Sequence, residues 1–200
     1  MSDTRDGTYT QRLQRLQGAR WKSLVGAQVP YRWNVRRLLA GHERVLDVGC
    51  GIGRNLTHLG RGVGVDHNAE SVAIAREQGV TAYTTTQWPD SPDAVVGSYD
   101  AMLLAHVLEH LDEGTADELV ESYLPYLTAQ ARLLLICPQE RGYVSDATHV
   151  RWVDPDVLRA SARRWGFRPV RAMSFPLPRF AGKTFPYNEF VLVADRLPQT

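Results

Sequence analysis

Apolar residues along the chain gather in short runs separated by polar stretches with helical spacing. Val45–Val48, Val63–Asp66, Val80–Thr84, Tyr99–Ala105 and Ala131–Cys137 are such runs, each closed by glycine, proline or a polar turn. Runs of this length, rich in valine and leucine, read as buried strands. Between them, Asn55–Leu59 and Ala69–Gln78 predict helices, the second with Asn68 as its cap and Gly79 as its stop. Glu118–Leu127 predicts a further helix, and the stretch from residue 138 to 153 reads as a long polar loop. Asp154-Pro155 then opens a helix with an acidic cap and a first-turn proline, running to Trp165 and closed by Gly166. Phe167–Phe175 and Asn188–Asp195 are the last two strands. The proline-rich Pro176–Tyr187 between them is too long for a tight hairpin and predicts a lid or wall.

Upstream, Leu13, Leu16, Trp21 and Leu24 recur at near-helical spacing between Thr10 and Gln28, and Pro30 breaks that pattern before a short helix from Val35 to Ala40. The expected organisation is an N-terminal helical arm over residues 1–40 and one domain over 41–200. Alternating strands and helices make that domain α/β, with a mostly parallel sheet joined by right-handed crossovers and a final β-pair.

Composition narrows the function. A chain of 200 residues with 44% hydrophobic content can bury a sizeable core. The net charge of +1 offers no basic surface for nucleic acid. Cys50 and Cys137 lack metal-type spacing and suit a reduced, cytoplasmic setting. No apolar run approaches the ~20 residues that span a bilayer.

The chemistry concentrates after the first strand, where Gly49, Gly51 and Gly53 stand at every second position. Glycine lets a ligand approach the backbone closely. The Gly-x-x-x-x-Gly-Lys phosphate cradle is absent, and so is Gly-x-Gly-x-x-Gly. Asp66 ends the second strand, where a carboxylate can accept hydrogen bonds from both hydroxyls of a ribose.

Val45-Leu46-Asp47-Val48-Gly49-Cys50-Gly51-Ile52-Gly53, then Val63-Gly64-Val65-Asp66, then Tyr99-Asp100-Ala101 with His106-Val107-Leu108-Glu109-His110, resembles the class I S-adenosylmethionine-dependent methyltransferases over roughly residues 40–196. The small-molecule branch that includes ubiquinone-type and sugar O-methyltransferases is the nearest. The resemblance implies a Rossmann-like seven-stranded sheet in the order 3-2-1-4-5-7-6, strand 7 antiparallel, with helices on both faces. It implies S-adenosyl-L-methionine as cofactor. Gly49 and Gly51 would pass beneath its methionine part, Asp47 would help bind the amino group, Asp66 the ribose, and Ala105 with His106 would lie near the sulfonium. The adenine segment departs from the family's Asp-Ala: Thr85 and Gln87 are the candidates to hydrogen-bond the ring and Trp88 to flank it. Arg32, ahead of the domain, is a candidate for a ligand carboxylate.

Methyl transfer needs an aligned acceptor and, for a hydroxyl, a base near neutrality, which favours histidine. His106, Glu109 and His110 are spaced to share one face of a helical turn and can hold a divalent metal, with Mg2+ the expected ion. The ubiquinone-type enzymes have Glu where this chain has His106. A second constellation, Gly142 to Trp152, contains Asp146 and His149. His149 is the first candidate base, with Asp146 to orient it or share a metal, and His106 is the second. Tyr143, Trp152, Phe180, Phe185 and Tyr187 would form an aromatic mouth. The expected reaction is O-methylation of a small molecule, with a sugar hydroxyl favoured over a quinone, polyketide or phenol, and a catalytically inactive cofactor-binding partner as the competing class. The expected assembly is a monomer or homodimer without nucleic acid.

Overall fold

The structure is a computed structural model that describes residues 31–197. The helix expected between Thr10 and Gln28, with Trp21, lies outside the described residues. Residues 31–38 are helical (α1), so the helix expected from Val35 already includes Tyr31. There follow β1 (Val45–Val48), α2 (Arg54–Leu59), β2 (Val63–Asp66), α3 (Ala69–Glu77), β3 (Ala82–Thr84), β4 (Tyr99–Ala105), α4 (Glu113–Tyr123), β5 (Leu127–Pro138), α5 (Glu140–Tyr143), α6 (Pro155–Arg164), β6 (Phe167–Phe175) and β7 (Glu189–Arg196).

The seven strands form one sheet in the order β3-β2-β1-β4-β5-β7-β6. β1 pairs in parallel with β2 and β4, β4 with β5, and β7 runs antiparallel to both β5 and β6. This is the sheet that the resemblance implied. Its central strands are buried on both faces. Leu46, Met102, Leu104, Leu133 and Leu135 pack on one side, and Val45, Ala101, Leu103, Leu134 and Ile136 on the other. Burial on both faces is why β4 reads as an unbroken apolar run rather than an alternating one.

Helix positions follow from their caps. Asn68 accepts from the Ser71 amide (2.9 Å) to start α3, and Asp154 accepts from the Asp156 and Val157 amides (2.9 and 3.0 Å) to start α6, with Pro155 in the first turn. α4 begins five residues before its expected start because Asp112 caps it through the Thr115 amide (3.0 Å). The reading of residues 138–153 as loop missed α5. The parallel strands β1, β2, β4 and β5 all release their loops at one sheet edge, and that edge gathers residues 49–53, 67–68, 106–110 and 139–152.

Candidate active site

The turn after β1 is set by its glycines. Gly49, Gly51 and Gly53 have φ of 77°, 53° and 76°, a region that side chains with a Cβ enter at a cost. Gly49 is tight for a second reason: a Cβ there would lie 2.4 Å from Val107 Cγ2. Gly51 is open, with nothing within 4 Å of such an atom. The turn is tied to β2 through the Gly49 and Cys50 amides, which donate to the Val65 carbonyl (2.8 and 3.1 Å). It is also tied through the Gly51 amide, which donates to Asp66 Oδ2 (2.8 Å), while Asp66 Oδ1 accepts from the Asn68 amide (2.8 Å).

Asp47 lies beneath this turn, fully buried, and neither carboxylate oxygen has a hydrogen-bond partner in range among the described residues. Burial raises its pKa to about 7, the Asn55 side chain nearby opposes the rise, and the Asp66 charge adds to it. A buried carboxylate without a partner costs several kcal/mol, on the order of a lost charged hydrogen bond or more. The position therefore calls for a cation.

On the adenine side, Thr85 and Gln87 are exposed. The Gln87 carbonyl oxygen accepts from Arg76 Nη2 (3.0 Å) and the Thr84 amide (3.2 Å), which leaves its amide group for a ligand. Trp88 does not join them. It is 3% exposed and packs among Tyr83, Tyr99, Tyr123 and Tyr126, so the expected ring-flanking residue is a core residue. Arg32 stands exposed on α1.

His106 has φ of 59° and is pinned between two carboxylates, with Nδ1 3.2 Å from Glu109 Oε1 and Nε2 2.7 Å from Glu189 Oε1. Burial alone would lower its pKa, but the Glu189 charge and the hydrogen bonds it donates to Glu109 and Glu189 raise it to about 10. With a carboxylate oxygen against each ring nitrogen, His106 is engaged by Glu109 and Glu189, where its spacing offered it as a base and a metal ligand.

The loop after β5 supplies the histidine that His106 was expected to be. The Val150 and Arg151 amides donate to the Glu109 carbonyl (2.9 and 3.2 Å), which docks residues 144–152 onto the turn holding Glu109 and His110. The His110 and His149 rings meet at 4.8 Å, and His149 stacks on Tyr143 at 5.2 Å. Trp152 packs edge-on against Tyr143 (5.3 Å) and Phe190 (5.8 Å). Phe180, 74% exposed, and Tyr187 lie on the connection between β6 and β7, where Arg179 pairs with Glu140 (Nη1 to Oε2, 2.8 Å).

Hydrogen bonds fix the tautomers here. His149 Nδ1 is 2.6 Å from the Tyr143 carbonyl, which only accepts, so Nδ1 carries the proton. The Thr148 hydroxyl donates its one proton to Asp146 Oδ1 (2.8 Å) and therefore accepts from His110 Nδ1 (3.1 Å). In the neutral form of each imidazole, Nε2 is then the nitrogen that carries the lone pair. Asp146 reaches His110 through the Thr148 hydroxyl, and its carbonyl accepts from the His149 amide (3.3 Å). Glu109 is fully buried. Its Oε1 faces His106, and its Oε2 has no hydrogen-bond partner among the described residues, while the Cys137 thiol lies close to the carboxylate. That thiol is pushed well up in pKa by burial and then by the Glu109 charge. One ligand-capable atom from each of Glu109, His110 and His149 lies within 4.8 Å of the other two.

Two residues of this region had escaped sequence reasoning. Glu189 is buried at the head of an apolar strand, a position where a lone carboxylate signals a partner. Tyr31 has its hydroxyl pKa raised by burial and then by the charge of Glu189, with Asp47 and Glu109 also contributing.

The family of methyltransferase domains matches residues 22–172. Among solved structures, the chain is similar to magnesium protoporphyrin IX methyltransferase from Synechocystis PCC 6803 with bound SAH, at 20% identity over 96% of each chain and a TM-score of 0.70. It is similar to a TehB-like SAM-dependent methyltransferase from Corynebacterium glutamicum, at 19% identity over 96% of this chain and 100% of that one, with a TM-score of 0.66. A possible histamine N-methyltransferase from Thermotoga maritima is 16% identical over 84% of this chain and 89% of that one, with a TM-score of 0.64. No curated protein matches by sequence.

Proposed function

The chain belongs to the methyltransferase domain family, with the class I S-adenosylmethionine-dependent fold, and from that premise we propose that it methylates a hydroxyl of a small molecule, favouring a sugar. The observation that carries this reading is the acceptor-side wall at the sheet edge, where His110 and His149 each keep Nδ1 protonated against an oxygen and, in the neutral ring, carry the lone pair on Nε2.

The cofactor half supports S-adenosylmethionine as the methyl donor. The ammonium of its methionine part supplies the cation that buried, unpartnered Asp47 calls for. Gly51 leaves room for the methionine chain. Asp66 uses one lone pair of each oxygen on backbone amides and keeps others for ribose hydroxyls. Exposed Thr85 and the Gln87 amide group face the adenine.

In the transfer, an acceptor oxygen lone pair forms the new O–CH3 bond while the S–CH3 bond breaks. Its electron pair stays on sulfur and yields S-adenosylhomocysteine, and the hydroxyl proton departs at the His110–His149 wall. The sulfonium is already an activated electrophile, so alignment and proton removal are what the protein contributes. A sugar is favoured because the wall is polar and hydrogen-bonding, while Tyr143 and Trp152 offer ring faces and edges to C–H groups. Cytoplasmic location and a monomer or homodimer complete the proposal, and among the described residues no helix is long and apolar enough to cross a membrane.

The test is an acceptor screen with methyl-labelled S-adenosylmethionine, sugars beside phenols and quinols, with the product bond identified by mass spectrometry. Label in an O-methyl sugar supports the full reading. Transfer to phenols alone removes the sugar, and label on nitrogen removes O-methylation.

A further inference from the structure

We propose that Glu109, His110 and His149 form a binding site for a divalent first-row transition ion, with donors Oε2, Nε2 and Nε2. The role given to such an ion, at the acceptor hydroxyl, rests on the methyl-transfer reading above; the site itself rests on geometry. The ligand set differs from the His106, Glu109 and His110 triad suggested by spacing alone. Both ring nitrogens of His106 are engaged by carboxylates. His149 comes instead from the loop after β5, which docks on the Glu109 carbonyl through two amides.

Each donor is prepared from behind. His149 Nδ1 donates to the Tyr143 carbonyl, and His110 Nδ1 donates to Thr148, whose hydroxyl is itself held by Asp146. Metal-binding histidines are oriented in this way by hydrogen bonds from the opposite ring nitrogen. His106 holds Glu109 Oε1 and so aims the other, fully buried oxygen away from itself. That oxygen has no hydrogen-bond partner among the described residues, an independent sign that the position expects a positive partner.

One ligand-capable atom from each of the three side chains lies within 4.8 Å of the others, whereas an ion about 2.1 Å from each holds its donors about 3–3.5 Å apart, so binding draws the three side chains together. Two imidazoles and one carboxylate suit Mn2+, Fe2+, Co2+ or Zn2+, whereas Mg2+ prefers oxygen donors and retained water. The donor chemistry therefore shifts the expected ion away from Mg2+. Three protein donors leave further positions to water or an acceptor oxygen, and such an ion would lower the pKa of a hydroxyl bound to it, so that with the ion held the proton would pass to solvent water and not to His110 or His149, whose Nε2 atoms are then ligands.

The test uses the full chain, stripped with EDTA and dialysed. Binding of Mn2+ is followed by electron paramagnetic resonance, and of Co2+ by its visible absorption, with S-adenosylhomocysteine affinity measured in parallel as a check on folding and on the cofactor half. The wild type is expected to take up a single equivalent of Co2+ and to bind Mn2+ at least ~tenfold more tightly than Mg2+. His149→Ala and Glu109→Gln are each expected to weaken Co2+ by ~100-fold or more, and Thr148→Ala by ~tenfold, with S-adenosylhomocysteine still bound. Absence of Co2+ and Mn2+ uptake, or uptake unchanged in His149→Ala and Glu109→Gln, overturns the site. Full methyl transfer in chelator would then leave the methyl-transfer reading standing with a metal-free histidine wall. Metal uptake without any methyl transfer would uphold the site and remove the reading.

Discussion

The two halves of the candidate active site are built in different ways. The cofactor half is contiguous: Asp47, Gly49 and Gly51 fall within one strand and its turn, and Asp66 reaches them through a single parallel pairing and the Gly51 amide. The acceptor half is assembled: Glu109 and His110 follow β4, His149 follows β5, and His106 is locked by Glu189 from a strand 83 residues away. A contiguous site is held by backbone φ and local hydrogen bonds. An assembled site depends on how the loops dock. Damage should therefore separate cleanly between them, with cofactor affinity tracking one half and turnover the other.

The largest effect is expected from His149→Ala, which should lower kcat by about 10²–10⁴-fold while leaving the Kd for S-adenosylhomocysteine within about twofold. Matched kinetics and calorimetry check this, and a large loss of cofactor affinity would break the division. Asp66→Asn reverses the pattern. Losing a charged acceptor for the ribose should weaken S-adenosylhomocysteine by about 10–100-fold. It should also lower Tm, because the Gly51 and Asn68 amides then face a neutral amide.

The glycines sharpen the contrast within a single turn. Gly49→Ala forces a Cβ onto Val107 at positive φ and should cost about 2–4 kcal/mol of stability, partly restored by Val107→Ala. Gly51→Ala meets open space, so it should cost only the backbone strain, about 1–2 kcal/mol, and act mainly on cofactor affinity. Chemical denaturation and calorimetry separate the two.

The smallest effect is a pH dependence. Burial raises Asp47 to about 7, so it is protonated below that pH and ionised above it. Affinity for the cationic cofactor should rise as pH increases through 7, by at most about tenfold per unit, and Asp47→Asn should flatten the slope. The stability of the free protein should move the opposite way. The folded state holds a proton that the unfolded state releases near pH 4, so Tm should fall between about pH 4 and 7.

The same contrast explains what the sequence made legible. Val45–Val48, Val63–Asp66, Tyr99–Ala105 and Phe167–Phe175 were bounded correctly because apolar runs between turn residues are a local signal. The glycine turn was legible for the same reason, since its conformation demands that residue type in place. α4 was placed late because its first turn is polar, and only the Asp112 cap marks its start. Trp88 read as a ligand wall because nothing local tells that Tyr83, Tyr99, Tyr123 and Tyr126 converge on it. In the proposed metal set His149 takes the place that spacing gave to His106. The spacing of His106, Glu109 and His110 is a helical-turn pattern visible in the chain, whereas the Glu189 contact and the docking of residues 144–152 exist only in the folded sheet.

The central claim is that this chain moves a methyl group from S-adenosylmethionine to an acceptor hydroxyl at the Glu109–His110–His149 wall. Single-turnover transfer of labelled methyl, comparing the wild type with His149→Ala at saturating cofactor and a responsive acceptor, tests it most directly. The account predicts an O-methyl product and one S-adenosylhomocysteine per transfer in the wild type. In the variant it predicts a drop of about 10²-fold or more with cofactor binding retained. Equal rates in the two proteins, or no S-adenosylmethionine-dependent product with any hydroxyl acceptor, would contradict it.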